Sequence, residues 1–254
     1  MIDLHSHLLP GVDDGSRSVE QSVGVLTRMA AAGITDIVLT PHLDASRVLE
    51  GPPPEHDEAF AALSPLIPSG IRVHRGAEIM LDRALTPRVV ATRRVTLGGS
   101  RYVLVEFTRL VASRAATTAL HQVVKAGLVP LVAHPERYQV CSPAQVRQWR
   151  DLGALIQVDA NTLFAASGRG DRARQLVGQG LADVLAADNH GDVRTLADPF
   201  RRLVEAGHEE VAQVLMVANP AAILADQPTE QVEACEITMP LFQRLKGWLG
   251  ELKE

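Results

Sequence analysis

Cysteine is nearly missing from this chain: there are two among 254 residues, Cys141 and Cys235. Two thiols build neither a disulfide framework nor a multi-cysteine zinc ribbon, and such sparing use suits a reducing compartment. No apolar run reaches about 18 residues, so no membrane span is expected. No basic stretch followed by an apolar core opens the chain, and a soluble, unexported, cytoplasmic protein is the expectation. A basic excess is lacking too. The formal net charge is −5 and the pI near 6.0, with no basic stripe, which argues against nucleic acid as a partner.

What is present is apolar sequence in a regular alternation. With 46% hydrophobic residues the chain can bury a large core, and its length falls where an α/β barrel runs as one domain, here residues 1–254. Strand-like runs are expected near Ile2–Leu4, Asp36–Thr40, Arg72–Glu78, Arg101–Glu106, Val129–Ala133, Leu155–Val158 and Val184–Ala187. Helical patterns fit between most of them, which is the signature of βα units around a parallel sheet. Seven strands suggest a barrel. The first helix should start at Ser18, with Gln21 reaching back as in a capping box, and end at Gly33. Glu50-Gly51-Pro52-Pro53-Pro54 is a stiff loop. A last helix carries Leu241, Phe242, Leu245, Trp248 and Leu249 on one face, more simply core packing than a dimer surface.

Ligand-type side chains recur at the carboxyl ends of these strands. His5 and His7 alternate on the first, so both imidazoles can face one ion. His42 follows the second in Thr40-Pro41-His42, Glu78 closes the third and Glu106 the fourth. His134 follows the fifth, and Asp188 and His190 follow the last. A lone histidine beside a strand is usually a hydrogen-bonded surface or core group. Six strand ends delivering such residues to one rim reverse that reading, because the carboxyl-end face of an α/β barrel carries the active site. Asp3 is balanced between orienting an imidazole and capping a strand.

Taken together, Asp3-Leu4-His5-Ser6-His7, Pro10-Gly11-Val12-Asp13-Asp14-Gly15-Ser16, Thr40-Pro41-His42, Gly76-Ala77-Glu78, Ala133-His134-Pro135-Glu136-Arg137-Tyr138 and Asp188-Asn189-His190 resemble the polymerase and histidinol phosphatase superfamily. They are similar above all to its bacterial tyrosine-protein phosphatases of capsule and exopolysaccharide operons. The match runs from residue 1 to about 190 and continues in Val217-Ala218-Asn219-Pro220.

The resemblance implies a distorted (β/α)7, TIM-like barrel in a single α/β domain, with up to three divalent ions: manganese, iron or zinc. It gives the first ion to His5, His7, Glu78 and Asp188, the second to Glu78, Glu106 and His134, and the third to Asp14, His42 and His190. Asp13 is the neighbouring carboxylate that could stand in for Asp14. Arg137 receives phosphoryl oxygens. A second arginine is matched by Arg194, about one residue short of register, with Arg201 and Arg202 as weaker substitutes. Arg137, Arg194 and Asp14 are thus the residues expected at the reacting end.

The chemistry of these residues agrees. Clustered divalent ions supply a nucleophile near neutral pH and clamp oxygens along the line of displacement. Imidazole and carboxylate without thiolate suit manganese, iron or zinc alike, and arginine's planar fork suits a phosphoryl group. The expected activity is metal-dependent hydrolysis of phosphotyrosine in proteins, with a bacterial tyrosine kinase tail as partner and a homo-oligomer left open. A small-molecule phosphomonoesterase such as a histidinol phosphatase is the alternative, and an inactive regulatory barrel the other.

Cys141-Ser142-Pro143-Ala144-Gln145-Val146-Arg147 fits Cys-x5-Arg, the nucleophile loop of cysteine-based tyrosine phosphatases. Pro143 has no N–H to aim at phosphate and no glycine permits the tight turn, so Ser142-Pro143 reads as a helix start instead. His56, His74, His121 and His208 lack strand-end placement and read mostly as surface groups. Cys235 reads as a packed or partly exposed thiol.

Overall fold

The computed structural model describes residues 1–48 and 50–237. The helix expected around Leu241 to Leu249 lies outside the described residues. The strands are β1 (Ile2–Asp3), β2 (Asp36–Leu39), β3 (His42–Asp44), β4 (Arg72–Arg75), β5 (Glu78–Met80), β6 (Tyr102–Glu106), β7 (Val129–Ala133), β8 (Leu155–Asp159) and β9 (Val184–Ala186). The helices are α1 (Val19–Ala31), α2 (Pro54–Leu63), α3 (Pro87–Thr92), α4 (Ser113–Lys125), α5 (Pro143–Asp151), α6 (Gly168–Gly178), α7 (Ala197–Glu205), α8 (Glu209–Gln213) and α9 (Asn219–Leu224).

Every pairing between these strands is parallel, in two sheets ordered β1-β2-β4 and β3-β5-β6-β7-β8-β9. Strands β2 and β3 are one run interrupted at Thr40-Pro41, and β4 and β5 one run interrupted at Gly76-Ala77, so seven runs remain. Pro41 has no N–H for the ladder. Gly76 marks a close approach: a Cβ there would lie 3.2 Å from both Leu97 Cδ2 and Val38 Cγ1. The ends of the order meet after β1. Ser6 makes a parallel bridge to Asn189, the His7 N–H donates to the Asn189 carbonyl at 2.8 Å, and the Thr40 N–H to the Ser6 carbonyl at 2.8 Å.

Period-two alternation divides the core. Tyr102, Leu104, Leu131, Ala133, Val184 and Val38 join Ile2, Leu4 and Ile223 of α9 in an inner cluster. Val103, Val105, Val132 and Leu185, their alternates, pack outward with the helices. Helix α1 buries Ser22, Val25, Leu26 and Met29, an i, i+3, i+4, i+7 stripe. Inward parity carried to the strand ends falls on polar residues: Glu106 after Tyr102 and Leu104, His42 after Val38 and Thr40, Asp188 after Val184 and Ala186.

The first helix begins as expected, with the Ser18 side chain accepting from the Gln21 N–H. Gln21 reaches back one residue further than a capping box, its Oε1 accepting the Arg17 N–H at 2.9 Å. The helix stops at Ala31, two residues before Gly33, whose φ of 86° ends the turn. Ser142 caps α5 and Pro143 is its first residue. Among the described residues no helix is long and apolar enough to cross a membrane.

Candidate metal centre

Four buried atoms converge at the rim where the strands end. His5 Nε2 lies 3.1 Å from His7 Nε2 and 3.2 Å from both Glu78 Oε2 and Asp188 Oδ1. His7 Nε2 lies 3.3 Å from the same two oxygens. The two imidazole nitrogens form a triangle of such edges with either oxygen, and a point about 2.0 Å from all three corners exists in each, the distance at which zinc-type ions hold nitrogen and oxygen. Glu78 Oε2 and Asp188 Oδ1 are fully buried and accept no hydrogen bond among the described residues. Orphaned buried carboxylate oxygens are costly unless a cation satisfies them, so the residues present fit a metal ion.

The second atoms of these imidazoles are tied back. His5 Nδ1 is 3.0 Å from Gln157 Oε1, and His7 Nδ1 is 2.8 Å from Asp13 Oδ2, which fixes the rings with Nε2 inward. Asp13 also accepts the N–H groups of His42 and Gly15. Gly15 must lack a side chain, because a Cβ would fall 2.0 Å from the His7 carbonyl oxygen. The adjacent carboxylates are thereby separated: Asp13 orients His7, while Asp14 turns outward, 71% exposed, with Oδ1 3.6 Å from both His42 Nε2 and His190 Nε2. The His7 and His190 rings stack at 4.1 Å.

Glu78 is the hub. Besides the quartet, its Oε1 meets His134 Nε2 at 2.8 Å, and its Oε2 lies 3.1 Å from His42 Nδ1, which is equally close to Glu106 Oε1. Glu106 therefore groups with Glu78 and His42, and His134 with Glu78 and His5, a different grouping from Glu78, Glu106 and His134 as one set. His134 breaks the inward parity of β7 and adopts φ 33°, while Asp188 has φ 49°. Left-handed backbone at two non-glycine residues is strain concentrated at the site.

Imidazoles and carboxylates buried together at this site shift one another's pKa values. Burial alone would lower His5, yet the carboxylates of Glu78 and Asp188 outweigh it and raise its pKa to about 9. His7 rises for the same reasons, with Asp13 the largest contributor among the carboxylates. Glu78 and Asp188 are buried, but the facing imidazoles hold both well below the ordinary range. His190 goes the other way, lowered by burial and by His7.

These shifts set the pH dependence of the metal-free fold. His5, raised above 6.5, stabilises fully below that pH, and its contribution is lost as pH rises through about 9. Asp3 and Glu136, raised by burial to about 7 and about 8, act in the same direction from about pH 4 upward. Metal-free protein should lose Tm steadily between pH 6.5 and 9. Metal-loaded protein should lose less, since His5 is then held unprotonated. Calorimetry of both forms checks this, and a Tm gap that stays constant or narrows toward pH 9 contradicts it.

The two arginines expected at the phosphate meet at one oxygen. Arg137 Nη2 donates to Asp188 Oδ2, and to Asp159 Oδ2 at 3.2 Å. Arg194 Nη1 comes within 4.0 Å of Asp188 Oδ2 while Asp192 braces its Nε at 2.7 Å. Arg201 pairs with Asp198 and Glu205 along its own helix, and Arg202 lies over the Phe164 ring.

Residues 1–225 match the family described as capsular polysaccharide synthesis, CpsB/CapC. The chain belongs to that family. Among CpsB/CapC relatives, the tyrosine-protein phosphatase CpsB of Streptococcus pneumoniae is 28% identical over 242 residues, covering 89% of this chain and 99% of its own. The tyrosine-protein phosphatase YwqE of Bacillus subtilis (strain 168) is 27% identical over 196 residues, covering 75% and 77%. A crystal structure from the pair YwqE and CpsB, described as unique metal-dependent tyrosine phosphatases, superposes with TM-score 0.76 at 23% identity, covering 94% of this chain and 100% of that one. The phosphotriesterase from Mycobacterium tuberculosis shares the fold at TM-score 0.57 and 12% identity, covering 90% and 95%.

Other members of this CpsB/CapC site escaped the strand-end reading. Gln157 and Asp159 hold His5 and Arg137. Their signal is the inward parity of Leu155-Ile156-Gln157-Val158-Asp159, the same alternation that places Glu106. Asp3 orients no imidazole: its Oδ1 accepts the backbone N–H groups of His5 and Ala187, tying the first and last strands together. His56 is buried at 5% exposure rather than on the surface, and His74 bonds Asp36 at 2.9 Å. Cys141 is buried, with its thiol pushed up to about 12, chiefly by desolvation, and Arg147 turns away to Gln179 at 2.6 Å.

Proposed function

We propose that this protein is a metal-dependent protein-tyrosine phosphatase acting as a single domain in the cytoplasm, with the phosphotyrosines of a bacterial tyrosine kinase tail as substrate. The observation that carries the reading is the quartet of His5, His7, Glu78 and Asp188, with two orphaned carboxylate oxygens, beside two guanidinium groups at the same carboxylate. Membership of a family whose relatives are tyrosine-protein phosphatases supports it.

In this reading His5, His7, Glu78 and Asp188 hold one ion. Glu78, Glu106 and His42 hold a second, with His134 on the other oxygen of Glu78, and Asp14 and His190, again with His42, a third. His42, whose Nδ1 faces Glu106 and whose Nε2 faces Asp14, stands between the last two. Bound divalent ions, manganese, iron or zinc, supply a nucleophile near neutral pH and neutralise charge on the transferring group. The remaining work falls to the chain. Gln157 and Asp13 fix the His5 and His7 rings. Arg137 and Arg194 bind phosphoryl oxygens through planar forks, and Asp159 and Asp192 keep those forks from collapsing onto solvent. Tyrosine suits this machinery because a phenol, with pKa about 10, leaves with less proton assistance than an alkyl alcohol.

A metal-supplemented panel of phosphotyrosine peptide, phosphoserine peptide and histidinol phosphate tests the substrate class. Fastest turnover of the phosphotyrosine peptide is expected. Faster turnover of histidinol phosphate would make the protein a small-molecule phosphomonoesterase, and inert metal-loaded protein would make it a binding barrel. Cys141→Ala should leave phosphotyrosine turnover unchanged. Loss of turnover with the fold and metal content intact would revive cysteine chemistry.

A further inference from the structure

We infer that the rim beside Arg137 carries a second anion-binding patch, formed by Arg109, Arg169 and Arg172, which takes a negatively charged side chain flanking the phosphotyrosine of the substrate peptide. The inference rests on the phosphatase reading for the central group, and adds to it what lies next to that group.

Three connections bring these residues to the segment that bears Arg137. Arg109 stands three residues beyond Glu106, and its carbonyl accepts the Gln139 N–H at 2.9 Å. Arg172 Nε donates to the Glu136 carbonyl at 2.8 Å, and α6 packs against the turn Pro135–Arg137. Arg169 lies three residues before Arg172 on α6, and so on the same helical face. Arg169 is partly desolvated, and Arg109, Arg137 and Arg172 are close enough for their like charge to lower its pKa as well.

Most arginines of this acidic chain are neutralised by a carboxylate within reach, as Arg72 is by Asp36 and Arg94 by Asp57. The exposed side chains of Arg109 and Arg169 have neither an ion pair nor a hydrogen bond among the described residues. Like charges crowded with only the buried Glu136 as counter-charge raise the local potential, and an incoming anion lowers it. The patch adjoins the guanidinium proposed to bind the phosphoryl group, so one extended peptide can engage both. The ligand chemistry is an anionic side chain, either a carboxylate or a second phosphotyrosine.

The test is equilibrium binding by the metal-loaded protein of fluorescent peptides whose central phosphotyrosine is replaced by a non-hydrolysable phosphonate. The flanks are alanine, glutamate or a second phosphonate residue. The parent should bind the anionic-flanked peptides about tenfold more tightly than the alanine-flanked one, the yield of two exposed charge pairs. The preference should shrink at high salt and vanish in the Arg109→Gln, Arg169→Gln double variant, whose affinity for the alanine-flanked peptide should not change. The flank with the larger effect identifies the source of the anion. No preference in the parent, or an equal preference in the double variant, would overturn the patch. Turnover of para-nitrophenyl phosphate by the same samples reads the central site separately. A parent inert toward it but still selective for anionic flanks would sink the phosphatase reading and keep the patch.

Discussion

Glu78→Gln should reduce phosphotyrosine turnover by about a thousandfold or more, since altering groups that merely orient a metal ligand already costs about ten- to a hundredfold. Four imidazoles share this one carboxylate: His5, His7, His42 and His134 all lie within 3.3 Å of it. Glutamine keeps the shape and removes the charge, so the two proposed ion sites that share Glu78 weaken together. The metal-free fold should suffer as well. His5 and His7 owe their raised pKa values in part to Glu78, and removing one partner of a buried ion pair costs about 3–5 kcal/mol. Elemental analysis, turnover and calorimetry on one preparation check all three effects. A variant with full metal content and parental turnover would remove Glu78 from the centre.

Arg137→Ala is the second large effect, and it separates from the first by its metal content. Arg137 is three-quarters buried and bonded to Asp159 and Asp188. Burial disfavours its charge, but those carboxylates raise its pKa, so it stays cationic across the working range. Its loss should lower kcat/KM on phosphotyrosine peptides by about 10²–10³-fold, as removal of a preorganised donor to a developing anion does elsewhere. Metal content should hold, because Asp188 loses a competing cation. Arg137→Lys should recover only part of the activity, since a point charge does not replace two parallel hydrogen bonds. Parental kcat/KM in the alanine variant would show that the phosphoryl group is bound elsewhere.

Where local rules act without competition, sequence and structure coincide. Val129–Ala133 is a strand with the expected bounds, and Ser142 and Pro143 open α5 as cap and first residue. Glu106, His42 and Asp188 reach one rim because inward parity is a property of each strand alone, whereas His134 reaches it through its own left-handed backbone. What the sequence does not disclose depends on strands meeting one another. The interruptions at Thr40-Pro41 and Gly76-Ala77 follow from a missing N–H and from the nearness of Leu97 and Val38, and the second is visible only once the strands are packed together. The grouping of Glu106 with His42 rather than His134 follows from register, with His42 opposite Glu78 and Met80 opposite Glu106. Asp13 and Asp14 are equivalent by composition and are separated only when Gly15 lays their loop against His7.

The most direct measurement strips the protein with a chelator, verifies metal removal by elemental analysis, and restores manganese stepwise while phosphotyrosine-peptide turnover is followed. Turnover should vanish with the metal and return in proportion to the ions bound, levelling at two or more per chain. Undiminished turnover by a protein verified as metal-free would contradict the assignment of His5, His7, Glu78 and Asp188 as a catalytic metal centre.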